Sequence, residues 1–146
     1  SIDGVQLIDD SKATTVVATS AALDGLTAPT WLIAGGDGKG QQFSAFGNVA
    51  RKHCKAVHLI GRDARVLAAS LDIAGVPNRT FPTLEDATQV ALDSAVAGEQ
   101  VLLSPACASW DMFRNYSHRA EVFAIAAREW ARAHGKTFVP NERRDT

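Results

Sequence analysis

Apolar runs and polar breaks alternate along the chain. "VQLID" (5–9), "TWLIAG" (30–35), "AVHLIG" (56–61), "NRTF" (78–81) and "QVLLS" (100–104) predict strands. The second and third are apolar almost throughout, the pattern of strands buried on both faces. "NRTF" is weak and predicts a sheet edge. The intervening stretches predict helices over 14–26, rich in small residues that let it lie close on a sheet, over 43–54, and over 63–75, where Gly75 ends it. Thr83 with Asp86 three residues on makes a helix start, Leu84, Ala87, Ala91 and Ala95 share its apolar face, and Gly98 stops it. A last helix spans 118–134, with Phe123, Ala126, Ala127, Trp130 and His134 at helical spacing ahead of Gly135. The tail "NERRDT" predicts a charged, frayed end.

Strands alternating with helices predict an α/β sandwich around a mostly parallel sheet with right-handed crossovers. At 146 residues, without repeats or an interdomain linker, the chain reads as a single domain. In such sheets ligands bind outside the carboxyl ends of the strands. Three polar loops fall there: "DDSKATT" after the first strand, "GGDGKGQQ" after the second and "SPACASWDMFRNY" after the last.

Composition narrows the function. A net charge of -1 disfavours nucleic acid and anionic membranes as partners. No apolar run approaches the ~20 residues that cross a bilayer, and the first residues lack the pattern of a signal peptide. Cys54 and Cys107 are the only cysteines, without C-x-x-C spacing, and with four scattered histidines they form no zinc pattern. The expectation is a cytoplasmic protein with reduced thiols and no structural metal.

The glycine loop fails as a P-loop, because Ile33 and Gly40 stand where a glycine and a hydroxyl residue are required. Gly36, Gly38 and Gln41 likewise break the dinucleotide fingerprint. Two readings remain for Lys39: a solvated lysine in a flexible turn, or an ammonium awaiting a carboxylate or phosphate. In the first loop Thr14 or Thr15 can cap the following helix, whose free N–H groups suit an anion. Asp10 can accept two ribose hydroxyls, while Lys12 reads as a surface lysine. In the third loop Trp110, Phe113 and Tyr116, taken alone, read as core contacts under the last helices. Ser109 reads as the cap of a short helix opening at Trp110, and no G-x-S-x-G elbow supports it as a nucleophile. Cys107 reads as a small buried residue.

Taken together, "DDSKAT", "GGDGKGQQFS" and "LLSPACASWDMFRNYSHRAEVF" resemble the C-terminal domain of the Mur ligases, and within them the branch that adds D-glutamate. The resemblance covers essentially the whole chain, with the motifs in the family's order. Thr15 departs from it, standing where the family usually has asparagine. The resemblance implies a Rossmann-like three-layer domain of about six strands, the third domain of a peptidoglycan-synthesis enzyme. The implied reaction is an ATP-dependent carboxylate-amine ligation. The carboxylate of UDP-N-acetylmuramoyl-L-alanine becomes an acyl phosphate, and the D-glutamate amine displaces phosphate. Carried onto this sequence, Lys39 and Thr14 would hold the α-carboxylate of D-glutamate. Ser109 and the backbone near Trp110 and Tyr116 would hold its side-chain carboxylate, Asp10 would meet the ribose of ATP, and Lys12 would support the substrate loop. On this reading the glycine loop is a carboxylate clamp.

No residue of the chain is predicted to be catalytic. ATP phosphates and Mg2+ would be held mainly by domains preceding this one. The "SIDG" start suggests a turn cut from an upstream strand, so the chain is expected to be an inactive, monomeric part of the ligase. The alternatives are the corresponding domain of a sister Mur ligase and a free-standing Rossmann-like module that binds a small molecule.

Overall fold

The computed structural model describes residues 1–140; the tail expected to fray lies outside them. Its elements run β1 (Gln6–Asp9), α1 (Val16–Asp24), β2 (Thr30–Gly35), α2 (Phe46–His53), β3 (Cys54–Ile60), α3 (Ala64–Ala74), β4 (Asn78–Thr80), α4 (Leu84–Ser94), β5 (Gln100–Leu103) and α5 (Tyr116–Ala133). The strands form one sheet in the order β1-β5-β2-β3-β4, with every neighbouring pair parallel. The weak "NRTF" segment is an edge strand, and β1 is the other. The described residues form five strands, against about six implied by the family; Ile2 and Phe138 add an isolated antiparallel bridge.

Successive residues of a strand face opposite sides of the sheet, so the apolar central strands feed two cores. Leu32, Val57, Leu59 and Leu102 pack with Leu23, Phe46, Leu67 and Leu71 of α1, α2 and α3. Ile33, Ile60, Val101 and Leu103 pack with Leu84, Ala87, Phe123 and Trp130 of α4 and α5. Each large apolar side chain fully buried in this way contributes about 1.5–3 kcal/mol. The result is the expected three-layer sandwich.

Local chemistry sets the helix ends. Thr83 caps α4, accepting from Asp86 N–H at 3.1 Å. Thr15, rather than Thr14, caps α1, accepting from Ala18 N–H at 3.2 Å. Gly75 closes α3 in the left-handed conformation at φ 75°. The last helix starts at Tyr116, two residues earlier than its apolar periodicity suggests, because the Asn115 side chain accepts from His118 N–H at 2.8 Å. At α2 the capping residue is Ala45, which offers no side-chain bond, and the helix begins only at Phe46. The strand order positions the site: β5 lies between β1 and β2, so its loop emerges between the other two polar loops.

Candidate functional site

Backbone pairing joins the three loops. Asp37 N–H donates to Ala108 O at 3.0 Å and Ala108 N–H to Asp37 O at 2.8 Å, while Ala106 N–H donates to Ala13 O at 2.9 Å. The first contact demands a glycine beside it. A Cβ on Gly36, whose φ is 133°, would lie 2.4 Å from Ala108 O. Within the glycine loop, Gly35 N–H donates to Pro105 O, Gln41 N–H to Gly38 O, Lys39 N–H to Asp37 Oδ1 and Gly38 N–H to Asp63 Oδ2, all within 3.0 Å. A phosphate cradle needs such N–H groups free and converging. Here they are engaged, two of them by carboxylates. What the loop presents outward is the exposed Lys39 side chain, from a backbone held at φ 55°.

Two side chains that sequence reasoning passed over brace the same loops. Gln41 accepts from Val16 N–H at 3.0 Å and donates from Nε2 to Gly38 O at 2.9 Å and Ala106 O at 3.0 Å, tying the start of α1 to the other two loops. Arg119, only 1% exposed, donates to Ser11 O and Cys107 O, each at 3.0 Å. Its signal was present: Arg119 precedes Phe123 by four residues on the buried stripe of α5, a position otherwise occupied by apolar side chains.

Two cavities open at this edge. Thr14, Lys39, Ala108, Ser109, Trp110, Asn115 and Tyr116 line one of about 220 Å³. Asp9, Asp10, Ser11, Lys12, Tyr116, Ser117 and Ala120 line the other, of about 420 Å³. Tyr116 belongs to both. All seven residues singled out from the sequence therefore lie in these two cavities: Thr14, Lys39, Ser109, Trp110 and Tyr116 in the smaller, Asp10, Lys12 and again Tyr116 in the larger.

Three local expectations are corrected. No helix opens at Trp110. Residues 109–113 form a turn in which Ser109 O accepts from Met112 and Phe113 N–H, so the Ser109 hydroxyl has no capping duty and no hydrogen-bond partner among the described residues. Trp110 and Tyr116 are not core contacts: they are 69% and 43% exposed, and Phe113 alone of the three aromatics packs against the core. At the start of α1 two of the N–H groups expected to be free are engaged, Val16 N–H by Gln41 and Ala18 N–H by Thr15. Its neighbour Thr14 contributes to the cavity instead.

The Asp10 carboxyl is pushed above the usual carboxylate range by burial; the Ser104 hydroxyl, donating to Oδ2 at 2.8 Å, opposes the rise, and Asp9 adds to it. Oδ1 meets no donor among the described residues. Burial pushes the free Cys107 thiol up to about 12, which makes it chemically inert at neutral pH. Cys54 is likewise free and raised to about 12 by burial. No described helix is long and apolar enough to cross a membrane.

The model of the family "Mur ligase, glutamate ligase domain" matches residues 1–107. The chain belongs to this family. Among its relatives, the UDP-N-acetylmuramoylalanine–D-glutamate ligases of Burkholderia vietnamiensis and Burkholderia multivorans are each 55% identical over 136 residues. That alignment takes in 93% of this chain and 27% of each relative, so the chain spans about a quarter of the length of the ligases it matches. Two solved structures share the Mur ligase domain's fold. One is a domain of a Haemophilus ducreyi UDP-N-acetylmuramate:L-alanyl-gamma-D-glutamyl-diaminopimelate ligase, at a TM-score of 0.59 and 10% identity, covering 86% of this chain and 94% of that one. The other is the UDP-N-acetylmuramate-alanine ligase of Thermotoga maritima, at a TM-score of 0.53 and 12% identity, covering 80% of this chain and 25% of that one.

Proposed function

We propose that this Mur ligase domain is the acceptor-binding part of a cytoplasmic, monomeric, ATP-dependent ligase that joins D-glutamate to UDP-N-acetylmuramoyl-L-alanine. The observation that carries the reading is the smaller cavity, where one ammonium and two hydroxyls (Lys39, Thr14, Ser109) converge beside the cavity that holds Asp10. D-glutamate brings two carboxylates and one amine, and the amine must be neutral to attack. Lys39 and Thr14 would take the α-carboxylate. The Ser109 hydroxyl and the backbone beside Trp110 and Tyr116 would take the side-chain carboxylate. A charge-assisted bond of this kind contributes about 1.5–3 kcal/mol. With both acids held, the amine is aimed at the activated carboxyl group of the other substrate.

ATP supplies the phosphoryl group that activates that carboxyl. Of this chain's residues, Asp10 fits the ribose: one oxygen is fixed by Ser104 and the other is open to a hydroxyl. Lys12, across the same cavity, would support the substrate loop. The engaged N–H groups of the glycine loop do not fit a triphosphate, so the phosphates and Mg2+ are assigned to other parts of the complete enzyme.

The test is phosphate release by the complete enzyme with ATP, UDP-N-acetylmuramoyl-L-alanine and one amino acid at a time. Release should depend on D-glutamate. Equal turnover with L-glutamate or diaminopimelate would overturn the proposal. The 146-residue chain assayed alone should show no turnover.

A further inference from the structure

We propose that Arg119 is a positioning residue that holds the Asp10 loop and the Ser109 loop in one register, and so couples the nucleotide side of the site to the acceptor side. The inference rests on the functional reading above and assigns the device that keeps its two halves together. Arg119 sits in the first turn of α5, 1% exposed. One Nη donates to Ser11 O, between Asp10 and Lys12, and the other to Cys107 O, two residues before Ser109. Ser11 lies 108 residues before Arg119 and Cys107 only 12, so a single planar group joins segments from opposite ends of the chain.

Stability alone is a poor account of this residue. Burying a guanidinium carries a desolvation penalty, and an apolar side chain of similar volume often replaces a buried charge without loss of stability. Among the described residues no carboxylate pairs with Arg119, and its Nε, buried, has no hydrogen-bond partner. Such an orphan donor disfavours the folded state. What the guanidinium provides, and an apolar chain does not, is a rigid fork whose own geometry fixes the separation of two carbonyls. Burial lowers Arg119 to about 10, which leaves it charged at neutral pH, so the fork keeps its full donor strength.

Arg119→Lys and Arg119→Met in the complete enzyme test the proposal, with Leu71→Ala, a change to a buried side chain in the last turn of α3 that lines neither cavity, as a destabilised control. In Arg119→Met, KM for D-glutamate and KM for ATP should both rise, each about tenfold for one lost charge-assisted register. Arg119→Lys, which reaches one carbonyl at a time, should recover part of that loss in both constants. Leu71→Ala should lower Tm and leave both constants alone. A fall in Tm at Arg119 without a change in either KM would overturn the proposal, as would a rise in one KM only. Failure of both variants to fold would assign Arg119 to the core and overturn it too. A wild-type enzyme indifferent to D-glutamate would instead remove the functional reading, and that result is obtained before any variant is made.

Discussion

Asp37 and Ala108 exchange both of their backbone hydrogen bonds, at 3.0 and 2.8 Å, and so sew the glycine loop to the loop after β5. Lys39 stands two residues beyond one end of this pair and Ser109 directly beyond the other. Their separation is therefore set by main-chain geometry, and each side chain is tested separately.

Lys39→Ala in the complete enzyme should raise KM for D-glutamate by about ten- to a hundredfold, the equivalent of roughly 1.5–3 kcal/mol, and leave KM for ATP unchanged. Lys39→Arg should restore use of D-glutamate only in part, because a planar fork does not fit a point-charge site. Steady-state kinetics with each substrate varied in turn decides this. A rise in KM for ATP alone would make the loop a phosphate cradle.

Ser109→Ala removes a hydroxyl that bonds nothing within the described chain, so Tm should stay close to that of the wild type. D-glutamate binding should weaken by roughly 1.5–3 kcal/mol, a neutral donor lost from a charged acceptor. An unchanged KM for D-glutamate would leave Ser109 without a role in the site.

Gly36→Ala places a Cβ 2.4 Å from Ala108 O at a φ of 133°. Loop and sheet edge must part to admit it, at a cost of roughly 1–3 kcal/mol. Thermal melts should show the loss, and D-glutamate use should fall with it. A variant as stable as the wild type would show that the pairing of the loops is soft.

Asp10→Asn should have opposite effects on stability and function. Burial raises the Asp10 carboxyl in the folded protein, so the native state holds this proton more tightly than the unfolded chain does. The stability contributed by the group is present at low pH and falls as pH rises from the ordinary carboxylate value through the raised one. At about pH 7 the ionised carboxylate therefore opposes folding. The asparagine variant should melt at or above the wild-type temperature there, with the gap closing in acid, while KM for ATP rises. Melts across this range check the sign, and a less stable variant at neutral pH would reverse it.

Much of this arrangement was legible because buried parallel strands are apolar runs: β2 was bounded residue for residue, and β5 to within one. The loops were legible as polar breaks after those strands, and motif resemblance singled out seven of the residues that line the two cavities. The missed features depend on long-range contacts. Gln41 and Arg119 bond main-chain carbonyls of distant loops, and no local spacing encodes which carbonyls those will be. The aromatics of the third loop were misplaced for a related reason. Their i, i+3, i+6 spacing suggests one helical face, but the loop forms only a turn before Asn115 begins α5, so Trp110 and Tyr116 turn outward.

The place of β5 in the sheet has a consequence for biosynthesis. Among the described strands, β1 pairs with β5, and β5 with both β1 and β2. While the chain emerges from the ribosome, β2, β3 and β4 have neighbours to pair with, but β1 must wait for residues 100–103. Closing so long a loop is entropically slow relative to local pairing. The smaller cavity, which draws on the loops after β1, β2 and β5, is thus completed only after β5, the last of the described strands, has been translated. A nascent chain arrested before that point would carry Lys39 and Thr14 but no pocket between them.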